Sequence, residues 1–74
     1  MLEMIRKALL DYVDVPAESI TAETDFVRDL KMNSFDFISL LGEMEDNFGL
    51  EIPDEDIRDF HTVGDVAAYL KDKV

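Results

Sequence analysis

The stretch that decides the fold is Leu30-Lys31-Met32-Asn33-Ser34-Phe35-Asp36-Phe37-Ile38-Ser39-Leu40-Leu41. A polar, turn-prone run gives way there to apolar residues at helical spacing. Phe37, Ile38, Leu40, Leu41, Met44 and Phe48 mark one face of a helix over residues 34–48. Asn33 stands at the capping position and Asp36 follows three residues later, the spacing of a capping box. Gly49 is placed to end the helix in the left-handed conformation. Gly42 lies inside it, where glycine costs about 1 kcal/mol relative to alanine. It either admits a close neighbour or is an exposed, tolerated weakness.

A lone serine sits at this junction. Serine at a helix start ordinarily caps the first turn, but Asn33 is an equally good cap. With Asn33 in that role, Ser34 occupies the first helical position and its hydroxyl is free. A phosphate on that oxygen would meet unsatisfied N–H groups and the positive end of the helix dipole. The position therefore suits a phosphodiester, although spacing alone does not separate that use from capping.

Upstream, Leu2, Ile5, Leu9, Tyr12 and Val13 recur at steps of three and four and predict a helix over residues 2–13. Glu3 suits its first turn, and Val15-Pro16 ends it, because the residue before proline avoids the helical region. Residues 14–33 read as a long connection with a short helical turn, pinned across the bundle by Val15, Ile20, Phe26, Val27 and Leu30. Thr21, Thr24 and Asp25 are local turn and cap formers. Downstream, a short helix is expected over residues 54–60, capped by Asp54, with Ile57 and Phe60 inward. The last helix covers residues 63–73. Thr62 with Asp65 opens it as a capping box, Val63, Val66, Ala67, Leu70 and Val74 follow the period, and Lys71 and Lys73 suit its negative end. The expected fold is all-α: a small four-helix bundle of three longer helices and one short one, with a long loop between the first and second. Residues 1–74 read as one domain.

Charge narrows the function. Eighteen acids oppose seven bases, for a formal charge of −11. Such a surface repels nucleic acid and anionic membranes and attracts basic protein patches rapidly. Residues 36–59 hold nine of the acids against one base, Arg58. Hydrophobic residues make up 47% of the chain, and their periodicity argues against disorder. There is no cysteine, so no disulfide framework or thiolate metal site; this fits a reducing compartment, and a cytoplasmic monomer without membrane insertion is expected.

An enzyme is hard to build from these residues. The one histidine, His61, has no cysteine or nearby serine to work with, and carboxylates spread over solvated faces are not a paired acid and base. A calcium loop fails too, since Gly49 at the sixth position would put Met44 at the first.

At these residues the sequence resembles an acyl carrier protein along nearly its whole length. The resemblance runs through Thr24-Asp25-Phe26, Asp29-Leu30 and the serine opening the second helix. It continues in Glu45-Asp46-Asn47-Phe48-Gly49, Ile52-Pro53-Asp54-Glu55-Asp56 and Thr62-Val63-Gly64-Asp65-Val66. It implies a carrier and not a catalyst. A phosphopantetheinyl transferase would attach 4′-phosphopantetheine from coenzyme A to Ser34, flanked by Asn33 and Phe35. The arm's thiol would then carry acyl groups as thioesters to acyl-transferring or condensing enzymes of fatty acid or related acyl or polyketide biosynthesis. By the same resemblance, Phe26, Leu41, Ile57 and Leu70 would line an acyl pocket. Basic patches on partner enzymes would meet Asp36, Glu43, Glu45, Asp46 and Asp54, with Phe35 and Ile38 as apolar contacts.

The chain departs from the family pattern at Asn33-Ser34-Phe35, where Asp-Ser-Leu is usual. The acid that the modifying enzyme reads is absent, which leaves the choice of that enzyme open. Lys31 stands where glycine is common, and Ser39 and Gly42 replace residues often acidic and bulky-apolar. Two other readings stay open at this point: a peptidyl, aminoacyl or D-alanyl carrier, and an unmodified acidic helical module that binds a basic partner.

Overall fold

The computed structural model describes residues 1–73. Four α-helices follow in order among them: α1 (Leu2–Leu9), α2 (Ser34–Phe48), α3 (Asp54–Ile57) and α4 (Val63–Lys73). The expected Val74 position on the last helix lies outside the described residues. The core forms where the apolar faces converge. Ile5 and Leu9 of α1, Leu40, Leu41 and Met44 of α2, and Val63, Val66 and Leu70 of α4 are all buried. α1 packs on both α2 and α4.

α2 spans the expected residues. Asn33 holds an extended φ/ψ of −85°/170°, and its Oδ1 accepts the Asp36 N–H at 2.7 Å. Gly49 closes the helix at φ 64°, ψ 39°, donating its N–H to the Glu45 carbonyl. That conformation is open to glycine without a Cβ penalty. Gly42 admits no close neighbour: an added Cβ would meet nothing within 4 Å. It is the tolerated weakness.

α1 is shorter than the sequence period suggests. It ends at Leu9, where hydrogen bonds tighten to three-residue spacing (Asp11 N–H to Ala8 O, 3.2 Å; Tyr12 N–H to Leu9 O, 2.8 Å). The chain winds on as turns, so Tyr12 and Val13 still pack against the core without being helical. α3 is also shorter than the expected 54–60. Pro53 holds its capping position, and Asp54 is its first helical residue with no side-chain cap bond. Pro53 already sits in the extended conformation a cap needs (φ −61°, ψ 146°), and residues 58–59 follow as a turn. Phe60 is buried and Ile57 half-buried, as expected.

The long connection is tied down throughout. It carries the expected helical turn, a 3₁₀ turn at Ala17–Ser19. Ile20 and Phe26 are buried, and Val15 and Leu30 are half-buried. Val27 reverses the expectation and is 70% exposed. A tight turn leaves it outside while its neighbour Phe26 fills the core. Met32, which carries no periodic signal, is buried instead. Arg6 reaches across from α1 and donates from Nε and Nη2 to the Ile20 carbonyl at 3.1 and 2.7 Å.

A seam joins the connection to the start of α4. Phe26 N–H donates to His61 O (3.0 Å), Val63 N–H to Thr24 O (2.9 Å) and Gly64 N–H to Ala22 O (2.8 Å). A Cβ on Gly64 would stand 2.8 Å from that same Ala22 oxygen, so only glycine fits. The full capping box forms beside it. Asp65 N–H donates to Thr62 Oγ1 (3.2 Å), and Asp65 Oδ2 accepts from the N–H groups of Thr62 (3.0 Å) and His61 (2.9 Å). These donors hold the Asp65 carboxyl below the usual carboxylate range.

Candidate functional site: the serine at the start of α2

Ser34 is the first residue of α2, and it is exposed. Among the described residues its hydroxyl makes no hydrogen bond. The reason is local: Asn33 supplies the capping oxygen, so the serine is released from that duty. The N–H groups of Ser34 and Phe35, in the first turn, have no intrahelical acceptor. Asn33 holds the Asp36 N–H, and the Phe37 N–H donates to Asn33 O at 3.0 Å. The serine therefore projects from a fixed helix end with two backbone donors beside it.

The segment before it is equally fixed. Asp25 Oδ1 accepts from the Val27 and Arg28 N–H groups at 2.9 and 2.8 Å, and Asp29 Oδ2 accepts from the Asp25 N–H at 2.8 Å. The Arg28 N–H, with help from Val27, keeps the Asp25 carboxyl low, and the Asp25 N–H does the same for Asp29. Lys31 N–H donates to Val27 O (3.1 Å) and Met32 N–H to Phe26 O (3.0 Å). Lys31 adopts φ 58°, the one non-glycine residue at positive φ among those described. For an L-residue that conformation costs roughly 1–2 kcal/mol.

A hollow of about 330 Å³ opens at the serine. It is lined by Phe26, Val27, Met32, Phe37 and Phe60 together with Asn33 and Ser34. The Phe26 and Phe37 rings meet at 4.9 Å between centroids. Of the four expected pocket residues, only Phe26 lines it. Leu41 and Leu70 lie in the closed core and Ile57 is half-buried elsewhere. Met32, Phe37 and Phe60 line it instead. Their placement depends on how the loop crosses α2, which periodicity does not report.

The expected docking residues divide into two groups. Phe35 is 79% exposed and Ile38 51%, and Asp46 and Asp54 are exposed. Asp36 is half-exposed. Glu43 and Glu45 have internal partners. The Tyr12 hydroxyl donates to Glu43 Oε1 at 3.3 Å, and the Ile52 N–H donates to Glu45 Oε2 at 2.7 Å. Burial first, then the Glu43 carboxylate, raise the Tyr12 pKa. Between α4 and α3, the Tyr69 hydroxyl donates to Asp56 Oδ2 at 2.8 Å. That bond, with burial, pushes Tyr69 up to about 12. Among the described residues no cluster of metal-ligating side chains occurs, and no helix is long and apolar enough to cross a membrane.

Comparison with known proteins shows the family. The family profile described as "Phosphopantetheine attachment site" matches residues 3–70. The acyl carrier protein of Helicobacter acinonychis is 38% identical over 72 residues, covering 97% of this chain and 92% of the relative. That of Lactobacillus acidophilus is 39% identical over 67 residues, covering 90% and 84%. The solved acyl carrier protein of Enterococcus faecalis is similar at a TM-score of 0.86 and 30% identity, covering 99% of this chain and 92% of its own. The chain belongs to the acyl carrier protein family, whose members bear a 4′-phosphopantetheine arm and act as carriers, not catalysts.

Proposed function

We propose that Ser34 is the attachment residue. On this reading residues 1–74 act as one cytoplasmic, monomeric carrier domain delivering acyl groups to enzymes of fatty acid or related acyl biosynthesis. The observation that carries the reading is the exposed, unbonded Ser34 hydroxyl on a helix capped by its neighbour Asn33. The fit to a phosphodiester is chemical. The free N–H groups of Ser34 and Phe35 and the helix dipole favour an anion there. When bound, the arm supplies a terminal thiol that holds acyl groups as thioesters.

The chain's own residues do the rest. Asn33 fixes the helix end from which the serine projects. The apolar hollow shelters hydrocarbon from water, at roughly 25 cal/mol per Å² buried. Phe35 and Ile38 offer apolar contact to a partner enzyme, and Asp36, Asp46 and Asp54 offer charge to its basic patch, with Glu43 sharing its carboxylate with Tyr12. Exposed ion pairs contribute only about 0–1 kcal/mol each. They speed encounter more than they prolong it, which suits a carrier that visits many enzymes.

The test is intact-mass measurement after incubation with coenzyme A and a broad-specificity phosphopantetheinyl transferase. A single pantetheinyl addition is expected, and none in Ser34→Ala. An addition that persists in Ser34→Ala, or no addition with any transferase including that of the native host, overturns the assignment.

A further inference from the structure

We infer that Lys31 is a binding residue for the phosphodiester on Ser34, its ammonium pairing with the phosphate oxygens and fixing the root of the arm; this rests on the assignment of Ser34 above. Four observations converge. Lys31 is held in the left-handed region at φ 58°, where glycine would be free of strain, so a lysine is kept at a conformational cost. Its backbone is fixed, because Lys31 N–H bonds Val27 O and the next residue, Met32, is buried and bonded to Phe26 O. Its side chain is exposed and, among the described residues, makes no ion pair within 4 Å. Arg28, the other nearby base, is already turned to Asp29, whose second oxygen takes the Asp25 N–H.

Reach and field agree with this. Lys31 and Ser34 are three positions apart, at most about 11 Å between Cα atoms even for extended chain. A four-carbon stem and a phosphate on the Ser34 oxygen are together long enough to close that gap. Residues 26–35 carry two bases (Arg28, Lys31) and one acid (Asp29), in a chain whose net charge is −11. The Lys31 ammonium already helps to lower the nearby Asp29 carboxyl without forming an ion pair with it; with the Ser34 and Phe35 N–H groups it would offset the repulsion that a phosphodiester meets from this acidic chain. Lysine suits the task as a point charge on a flexible stem.

The experiment compares apo and arm-loaded protein for wild type, Lys31→Gln and Lys31→Gly, with Lys71→Gln on the far end of α4 as control. Intact mass is read first. A failure to load, or loading that survives Ser34→Ala, overturns the Ser34 assignment before Lys31 is compared. On loaded protein, the 31P resonance of the phosphodiester should move in both Lys31 variants and stay in place in Lys71→Gln. The rise in Tm on loading should shrink by about 2–4 °C in both Lys31 variants at low salt, and the difference should vanish near 1 M salt. Lys31→Gly separates the pair from backbone strain. Its apo form should melt higher than wild type, yet its gain on loading should fall as it does in Lys31→Gln. A 31P resonance indifferent to Lys31, or a loading increment equal in wild type and Lys31→Gln, overturns the proposal.

Discussion

Single side chains in this molecule serve two masters, and the acidic helix shows it best. Glu45 and Asp46 are adjacent carboxylates, yet only Asp46 is free to meet a partner. Glu45 Oε2 holds the Ile52 N–H and so anchors the segment leading into α3. Glu45→Ala should cost about 1.5–3 kcal/mol, the range for a hydrogen bond to a charged group, while Asp46→Asn should leave stability within about 0.5 kcal/mol. Urea denaturation of the two variants checks this. Gly42 gives the opposite sign. Its space is open, so Gly42→Ala should stabilise by about 1 kcal/mol, or about 4–8 °C in Tm. The tyrosines give a spectroscopic signature. Tyr69 lies near 12 and Tyr12 is raised, so ultraviolet titration should find neither ionised in half the molecules at pH 10. The neutral forms help the fold below pH 10, and that help fades as pH climbs through the raised values.

At the level of elements, carboxylates hold the turns together. Asp25 and Asp29 fix the loop before Ser34, and Asp65 fixes the start of α4. All three have folded pKa values below the ordinary 3.8. Their contribution is therefore complete above that value and is lost as pH falls below it and through the depressed values. Asp65→Asn should lose stability at neutral pH and show a shallower decline in acid, followed by circular dichroism from pH 5 to pH 2. Elements were legible from the sequence where a local signal marks both ends. Asn33 and Gly49 bracket α2 to the residue. Thr62 and Asp65 open α4. The apolar period outlasts α1 because turns at three-residue spacing keep Tyr12 and Val13 on the core side. The expected 54–60 overruns α3 because Phe60, beyond the helix, is also held inward. Val27 and Met32 have no period to betray them in a loop. The free hydroxyl of Ser34 is legible because its neighbour Asn33 can cap. The hollow and the internal bond of Glu45 were not, since both depend on partners that only the fold brings near.

The whole molecule carries its charge unevenly, and salt should act on it with two signs. Screening relieves the self-repulsion of a −11 chain, so Tm should rise with added sodium chloride over the range in which the Debye length shrinks from about 30 to 3 Å. The same salt should slow association with a partner enzyme, seen as a falling on-rate in stopped-flow mixing. A Tm that falls with salt would show that attractive pairs outweigh repulsion.

The seam between Ala22–Phe26 and His61–Gly64 has a consequence for the order in which the protein is made. Those hydrogen bonds join residues some forty positions apart, and the Ser34 platform hangs from them through Phe26 and Met32. Contacts so distant in sequence form late, after local helices. A growing chain that has left the ribosome only as far as Phe60 has α2 and its serine, but nothing for Phe26 N–H and Thr24 O to hold. Loading should then wait for α4. Ribosome-stalled chains released to Phe60 should accept little arm from a transferase and coenzyme A, while chains exposed through Lys73 should accept it fully.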